Sequence, residues 1–224
     1  MLPKNIWQEI ETVFFDAEGT LFHITPSVGQ IYAEICQEFG LKVNPHELNK
    51  TFLKTYLKHR GSFEASPESC FEGWRKVFLE TISHFGELKD PETAYLKGYE
   101  IFARPEYFRL SPDTEETLSA IKASGRRLAI ISNWDERLIR LISAFGLSHF
   151  FEDVIVSCEV GLMKPDPQIF ELACQKLNTP PEKALMIGDN LNDDVLGARE
   201  AGLWALRYPG GSLKKLFPQE IFIS

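Results

Sequence analysis

The chain has 224 residues, 44% of them hydrophobic and 25% charged, with 32 Asp plus Glu against 24 Lys plus Arg and a formal charge of −8. That balance excludes disorder as the main state and supports one large folded domain or two small ones around a real apolar core. The acid excess excludes a broad basic footprint for nucleic acid, and no apolar run approaches the roughly 20 residues that span a bilayer.

The N-terminal stretch turns acidic by Glu9 and Glu11, where an export signal needs an apolar centre, so a cytoplasmic protein is expected. Residues 12–15 form a β-branched and aromatic run of strand length that ends in Asp16-Ala17-Glu18-Gly19-Thr20. From residue 24 to 107 no strand is apparent, and the text becomes a series of helical patterns rich in aromatics, among them Phe52, Tyr56, Phe71, Trp74, Phe78 and Phe85. This stretch reads as an all-helical insertion with joints near residues 22–26 and 104–112, its aromatics forming its own core.

Ser111-Pro112-Asp113 then predicts a capped helix start, with Leu118 and Ile121 on the buried stripe and Gly125 as the stop. Strand runs at 127–131, 153–157, 184–187 and 203–207 alternate with two further helical stripes. One is Leu138, Ile139, Ile142 and Phe145, ending at Gly146; the other is Ile169, Phe170, Ala173 and Leu177, ending near Pro180. Strands that are apolar almost throughout and separated by helices predict an α/β fold, a doubly wound parallel sheet covered on both faces. The expected division is an α/β core of residues 1–23 and 108–224 with a helical domain of residues 24–107. Residues 217–224 carry apolar side chains expected to dock on the body. The cysteines Cys36, Cys70, Cys158 and Cys174 form no C-x-x-C and read as reduced thiols packed as small hydrophobes.

The residues that carry chemistry stand where these strands end. Asp16 brings a carboxylate to the carboxyl edge of the sheet, where open α/β folds bind ligands. Gly19, without a Cβ, lets backbone N–H groups approach an anion. Ser132 and Asn133 end the second core strand, and a helix starting beside them would form a phosphate cradle. Lys164, held between stiff neighbours in Met163-Lys164-Pro165-Asp166-Pro167, reads as a fixed ammonium. Asp189, Asp193 and Asp194 follow the 184–187 strand, and such concentrated negative charge wants a cation. Hard oxygen donors favour Mg²⁺, with Asp189 the strongest candidate ligand. Taken singly, each signal has a plainer explanation: a turn former, a helix cap or a solvated lysine.

Together, in this order, the segments resemble the haloacid dehalogenase-like hydrolase superfamily over essentially the whole chain. The matching stretches are Asp16-Ala17-Glu18-Gly19-Thr20, Ser132-Asn133, Lys164-Pro165 and Gly188-Asp189 with Asp194-Val195-Leu196-Gly197-Ala198. The helical insertion looks like the cap of the C1 class. Phe71-Glu72-Gly73-Trp74-Arg75-Lys76-Val77 and residues 32–40 are similar to a subgroup named after a rhythmically expressed fly gene product.

The resemblance implies that Asp16 is the nucleophile of an aspartyl-phosphate mechanism and that Glu18 is the acid and base. It implies that Ser132 and Lys164 hold the phosphoryl group, within a phosphate-binding set completed by Gly19, Thr20 and Asn133. Mg²⁺ is then expected among Asp16, the backbone carbonyl of Glu18, Asp189 and Asp194, while Asp193 reads as a solvated or capping acid. The implied reaction is hydrolysis of a small phosphorylated metabolite by a monomer or homodimer, without nucleic acid or membrane. One departure matters. Phosphatases of the superfamily carry Asp where this chain has Glu18, and the extra methylene moves the carboxyl by about 1 Å on an unchanged backbone, enough to misplace an acid. Two alternatives stay open: a 2-haloacid dehalogenase, which uses the same nucleophile without metal, and a phosphate-ligand or protein-binding module that kept the scaffold.

Overall fold

The computed structural model describes residues 3–61 and 66–222. The chain divides into two compact units, Ile24–Arg109 and a second made of Met1–His23 with Leu110–Ser224.

The second unit is built on a five-stranded sheet. Its strands are β1 (Thr12–Phe15), β4 (Arg127–Ser132), β5 (Asp153–Val156), β6 (Ala184–Gly188) and β7 (Trp204–Arg207). A short ribbon of β2 (Phe22–Ile24) and β3 (Phe108–Leu110) marks where the chain passes between units. The order is β5-β4-β1-β6-β7 and every pairing in the sheet is parallel. β1 is central, with Phe15 in register with Ile130 on one flank and Ile187 on the other. All four residues of β1 and all five of β6 are buried. That burial is why these strands read as unbroken apolar runs instead of alternating ones.

Helices cover the sheet. Phe14, Ile131 and Met186 from the strands pack with Ile169, Phe170 and Ala173 of the helix Pro167–Lys176 in one apolar cluster. Leu138, Leu141 and Ile142 are the buried face of the helix Arg137–Ala144. Ile139, expected on that stripe, is 43% exposed; the structure corrects it, since a helix this short presents only one narrow row inward. Phe217 is fully buried, edge-on to Trp7 at 5.5 Å and tilted against Phe15 at 6.4 Å, so this part of the C-terminal segment is docked. Ile223 and Ser224 lie outside the described residues.

Asp113 does not cap as expected. It precedes the helix Thr114–Ala123 but adopts φ +63°, and its carboxylate accepts from the Ser212 hydroxyl instead of the helix N–H groups. Cys36 and Cys174 are buried free thiols packed as small hydrophobes.

The helical unit shows regular starts. Asn44, Ser66 and Asp90 each accept a hydrogen bond from a first-turn N–H, and each is followed by Pro45, Pro67 or Pro91 at the first helical position. Tyr32 meets Phe52, Phe78 and Phe102 edge-on at 5.7, 4.9 and 5.9 Å, so the aromatics pack on one another as a core.

Glu80 links the helices Pro45–His59 and Pro67–Ser83 by accepting from Lys58 and His59, both at 2.7 Å. These bonds, the Lys58 one foremost, hold its carboxyl down at about 2. A depressed folded value adds stability above the unfolded value, and this is lost as pH falls through about 2. Glu80→Gln is therefore expected to lower the unfolding temperature at neutral pH, with the difference from wild type closing towards pH 2 in a pH series of thermal melts. Among the described residues no helix is long and apolar enough to cross a membrane.

Candidate active site

The chain runs from β1 outward through β4 and β5, then returns to the opposite flank of β1 at β6. A reversal of this kind opens a crevice at the carboxyl ends of the strands on either side of it, here β1 and β6. Asp16 is the first residue past β1, and its N–H extends the ladder to the Ile187 carbonyl at 2.8 Å. Asp189 is the first residue past β6. The topology thus delivers one carboxylate from each side of the opening.

Two glycines permit the close approach. Gly19 has φ +93°, and a Cβ on it would lie 2.4 Å from Asp189 Oδ1. At Gly188 a Cβ would lie 2.2 Å from the Asp194 carboxylate, which therefore folds directly over the strand end. Asp194 belongs to a π-helical turn, Leu191–Leu196, a geometry that concentrates at functional sites. The Asn190 N–H donates to Asp194 Oδ2 at 2.9 Å.

Lys164 reaches this point from the loop before the helix Pro167–Lys176. Its Nζ donates to Asp16 Oδ1 at 2.6 Å and to Asp194 Oδ1 at 2.5 Å, and the Ser132 hydroxyl donates to the same Asp16 oxygen at 3.2 Å. Lys164 is 2% exposed, Asp194 1% and Asp16 7%, so the ions interact with little solvent screening. Carboxylate oxygens of Asp16, Asp189 and Asp194 all lie within 4.8 Å of one another.

Three acids and one ammonium leave two negative charges in excess, and the acids respond. Burial is the largest influence on Asp16, and with the charges of Asp194 and Asp189 it outweighs Lys164, raising Asp16 to about 7. Burial, then Asp194, also raises Asp189. Burial works to lower Lys164, but Asp16 and Asp194 together outweigh it and the net direction is upward. An all-oxygen donor set with surplus negative charge matches a hard divalent cation, and such an ion would restore the ionised form of Asp16.

Not every expected residue serves as read from the sequence. The Gly19 N–H donates to the Phe22 carbonyl at 2.8 Å and the Thr20 N–H to the Ala17 carbonyl at 3.3 Å, so both donors have partners inside the turn. Thr20 Oγ1 is buried without a partner among the described residues. The helix after Ser132 begins only at Arg137, too late for the expected cradle of helix N–H groups beside that hydroxyl. Asn133 spends its amide on the Lys164 backbone. Asp193 is 8% exposed, not solvated, and accepts from the side-chain amides of Asn190 and Asn192; Asn190 is the cap. Glu18 is half-buried, its backbone bridged to Phe22.

One feature beside the site had no sequence signal. Asp135, fully buried, binds Arg137 through Nε at 2.7 Å and Nη2 at 2.5 Å and also accepts the Arg137 N–H at 3.2 Å. This pair organises the loop that follows Ser132 in place of a helix cap. Two opposite charges two residues apart look like ordinary surface text until the fold buries them.

A family model described as haloacid dehalogenase-like hydrolase matches residues 10–202. The chain is 30% identical over 202 residues to human haloacid dehalogenase-like hydrolase domain-containing protein 3, covering 87% of this chain and 80% of that protein. It is 32% identical over 208 residues to glyceraldehyde 3-phosphate phosphatase of Methanothermobacter thermautotrophicus, covering 88% and 84%. Among solved structures, L-2-haloacid dehalogenase of Xanthobacter autotrophicus shares the fold with a TM-score of 0.70 at 23% identity, over 92% of this chain and 80% of that one.

Proposed function

The chain belongs to the haloacid dehalogenase-like hydrolases, and from that premise we propose that it is a Mg²⁺-dependent phosphatase of a small phosphorylated metabolite, working through an aspartyl-phosphate. One observation carries the reading: a buried carboxylate, Asp16, stands in one cluster with an ammonium, a hydroxyl and two further carboxylates. The relative named for a triose phosphate supports a small phosphorylated substrate.

In the first step an Asp16 carboxylate oxygen attacks phosphorus. The bond from phosphorus to the leaving oxygen breaks, and that oxygen takes a proton from Glu18. In the second, water attacks the same phosphorus and gives its proton to Glu18, and the bond to Asp16 breaks, returning the carboxylate. The Ser132 hydroxyl and Lys164 ammonium hold the phosphoryl oxygens as their charge shifts, the role in which fixed donors contribute most. Asp16, the Glu18 carbonyl, Asp189 and Asp194 would hold Mg²⁺, which supplies positive charge against the acids and the phosphoryl oxygens.

The test is a panel of phosphorylated metabolites and an aryl phosphate assayed with EDTA and with added Mg²⁺. Hydrolysis that stops with EDTA and returns with Mg²⁺ is expected. Halide release from 2-haloacids that persists in EDTA would replace the phosphatase reading with the dehalogenase one. Glu18 gives a second expectation. Because general acid help is worth roughly 10²–10⁴-fold and matters most for poor leaving groups, Glu18→Asp should raise turnover of alkyl phosphates more than of activated aryl phosphates. An equal change on both would remove Glu18 from leaving-group protonation.

A further inference from the structure

Lys164 must hold its ammonium between two carboxylates, yet its backbone lies in an irregular loop between the helices Ser157–Val160 and Pro167–Lys176. Something outside the loop has to fix it. Asn133 Nδ2 donates to the Lys164 carbonyl at 2.8 Å, and the Lys164 N–H donates to Asn133 Oδ1 at 2.8 Å. The two bonds close a ring between one side-chain amide and one residue's own peptide groups. The amide orientation is unambiguous, because a backbone N–H only donates and a carbonyl only accepts.

We infer that Asn133 is a positioning residue for Lys164: it ties the lysine loop to the end of β4, the strand end that also presents Ser132. The inference rests on the proposed reaction for its consequence, but the clamp itself stands on geometry. Both polar ends of the amide bond Lys164, so the clamp fixes the side chain and leaves one Nδ2 hydrogen, held in a set direction, outside it. The adjacent residues Ser132 and Asn133 then act on opposite sides of one event. Ser132 holds Asp16 Oδ1 directly, and Asn133 sets the reach of the ammonium that holds the same oxygen. The side chain makes this link across 31 residues of sequence.

Positioning predicts coupling. Asn133→Ala should lower kcat/KM for an aryl phosphate by about 10- to 100-fold, the usual scale for a residue that orients a functional group. In a Lys164→Met background the same change should cost less than about twofold, since no ammonium remains to be aimed. Asn133→Asp keeps the acceptor for the Lys164 N–H but cannot donate to the carbonyl, so its loss should fall between wild type and Asn133→Ala. If Asn133→Ala costs as much in the Lys164→Met background as alone, Asn133 acts on substrate and the inference is overturned.

A measurement independent of turnover covers the case in which a variant folds poorly or the wild type does not hydrolyse phosphate esters. Hydrogen exchange at the Lys164 amide in the full-length protein should be slow in wild type and at least about tenfold faster in both Asn133→Ala and a variant lacking the acceptor, Asn133→Leu, but unchanged in Ser132→Ala. Equal exchange in wild type and Asn133→Ala would overturn the clamp. Absence of phosphate hydrolysis in the wild type with a protected Lys164 amide would instead count against the proposed reaction.

Discussion

Asp16→Asn is expected to reduce aryl phosphate turnover by about 10⁴-fold or more, the scale of losing a nucleophile, because the amide cannot form the acyl phosphate. The substitution keeps size and shape, so it isolates the chemistry. It also removes one of three crowded acids. Asp16 is buried beside Asp189 and Asp194, and its charged form is disfavoured enough to raise it to about 7. Lys164 keeps its bond to Asp194. The metal-free variant should therefore melt at or above the temperature of metal-free wild type, as happens when a functional site stores unfavourable charge. Turnover within tenfold of wild type would remove Asp16 from the nucleophile role. Lost turnover accompanied by a much lower melting temperature would assign it a structural one.

Lys164→Met should also abolish useful turnover, by at least about 10²–10³-fold, through loss of a fixed positive charge against the phosphoryl oxygens. Its effect on stability should have the opposite sign. Methionine fills the space of the lysine stem but leaves Asp16 and Asp194 buried with no ammonium between them. Removing one partner of a buried ion pair typically costs about 3–5 kcal/mol, because the remaining charge is uncompensated. The metal-free Lys164→Met variant should melt well below metal-free wild type, and Mg²⁺ should recover part of the difference by replacing the missing charge. A melt identical to wild type, without metal, would mean that Lys164 is not the counter-ion to these acids. The two substitutions thus share an outcome in activity and part in stability, a pattern that general disruption of the fold does not produce.

The sheet was legible because burial on both faces writes itself as short unbroken apolar runs. β1 at Thr12–Phe15 and the start of β4 at Arg127 are the clearest cases. The ribbon Phe22–Ile24 with Phe108–Leu110 was not legible, since three residues are too few to show a period and its partners are far apart in sequence. The acids at the strand ends were also readable, because the topology that sends Asp16 and Asp189 to one crevice follows from the alternation of strands and helices.

What sequence did not carry were the uses to which polar groups are put. Asp113 resembles a cap but bonds Ser212, a residue far along the chain. Asn133 and Gly19 resemble anion binders, and their bonds to the Lys164 backbone and the Phe22 carbonyl have no signal in the sequence. The π-helical turn that aims Asp194 has no recognised signature in Leu191-Asn192-Asp193-Asp194, where any of several acids could have been the one turned inward.

The most direct measurement is chemical trapping on the intact enzyme. A reaction of wild-type protein with excess aryl phosphate and Mg²⁺ is quenched, reduced with hydride and digested, and the peptide containing residue 16 is sequenced by mass spectrometry. The account predicts that Asp16 is recovered as homoserine, the reduction product of an acyl phosphate, and that omitting the substrate or using Asp16→Asn prevents it. Active turnover with an unreduced Asp16, or with the reducible phosphoryl group on another carboxylate, would contradict it.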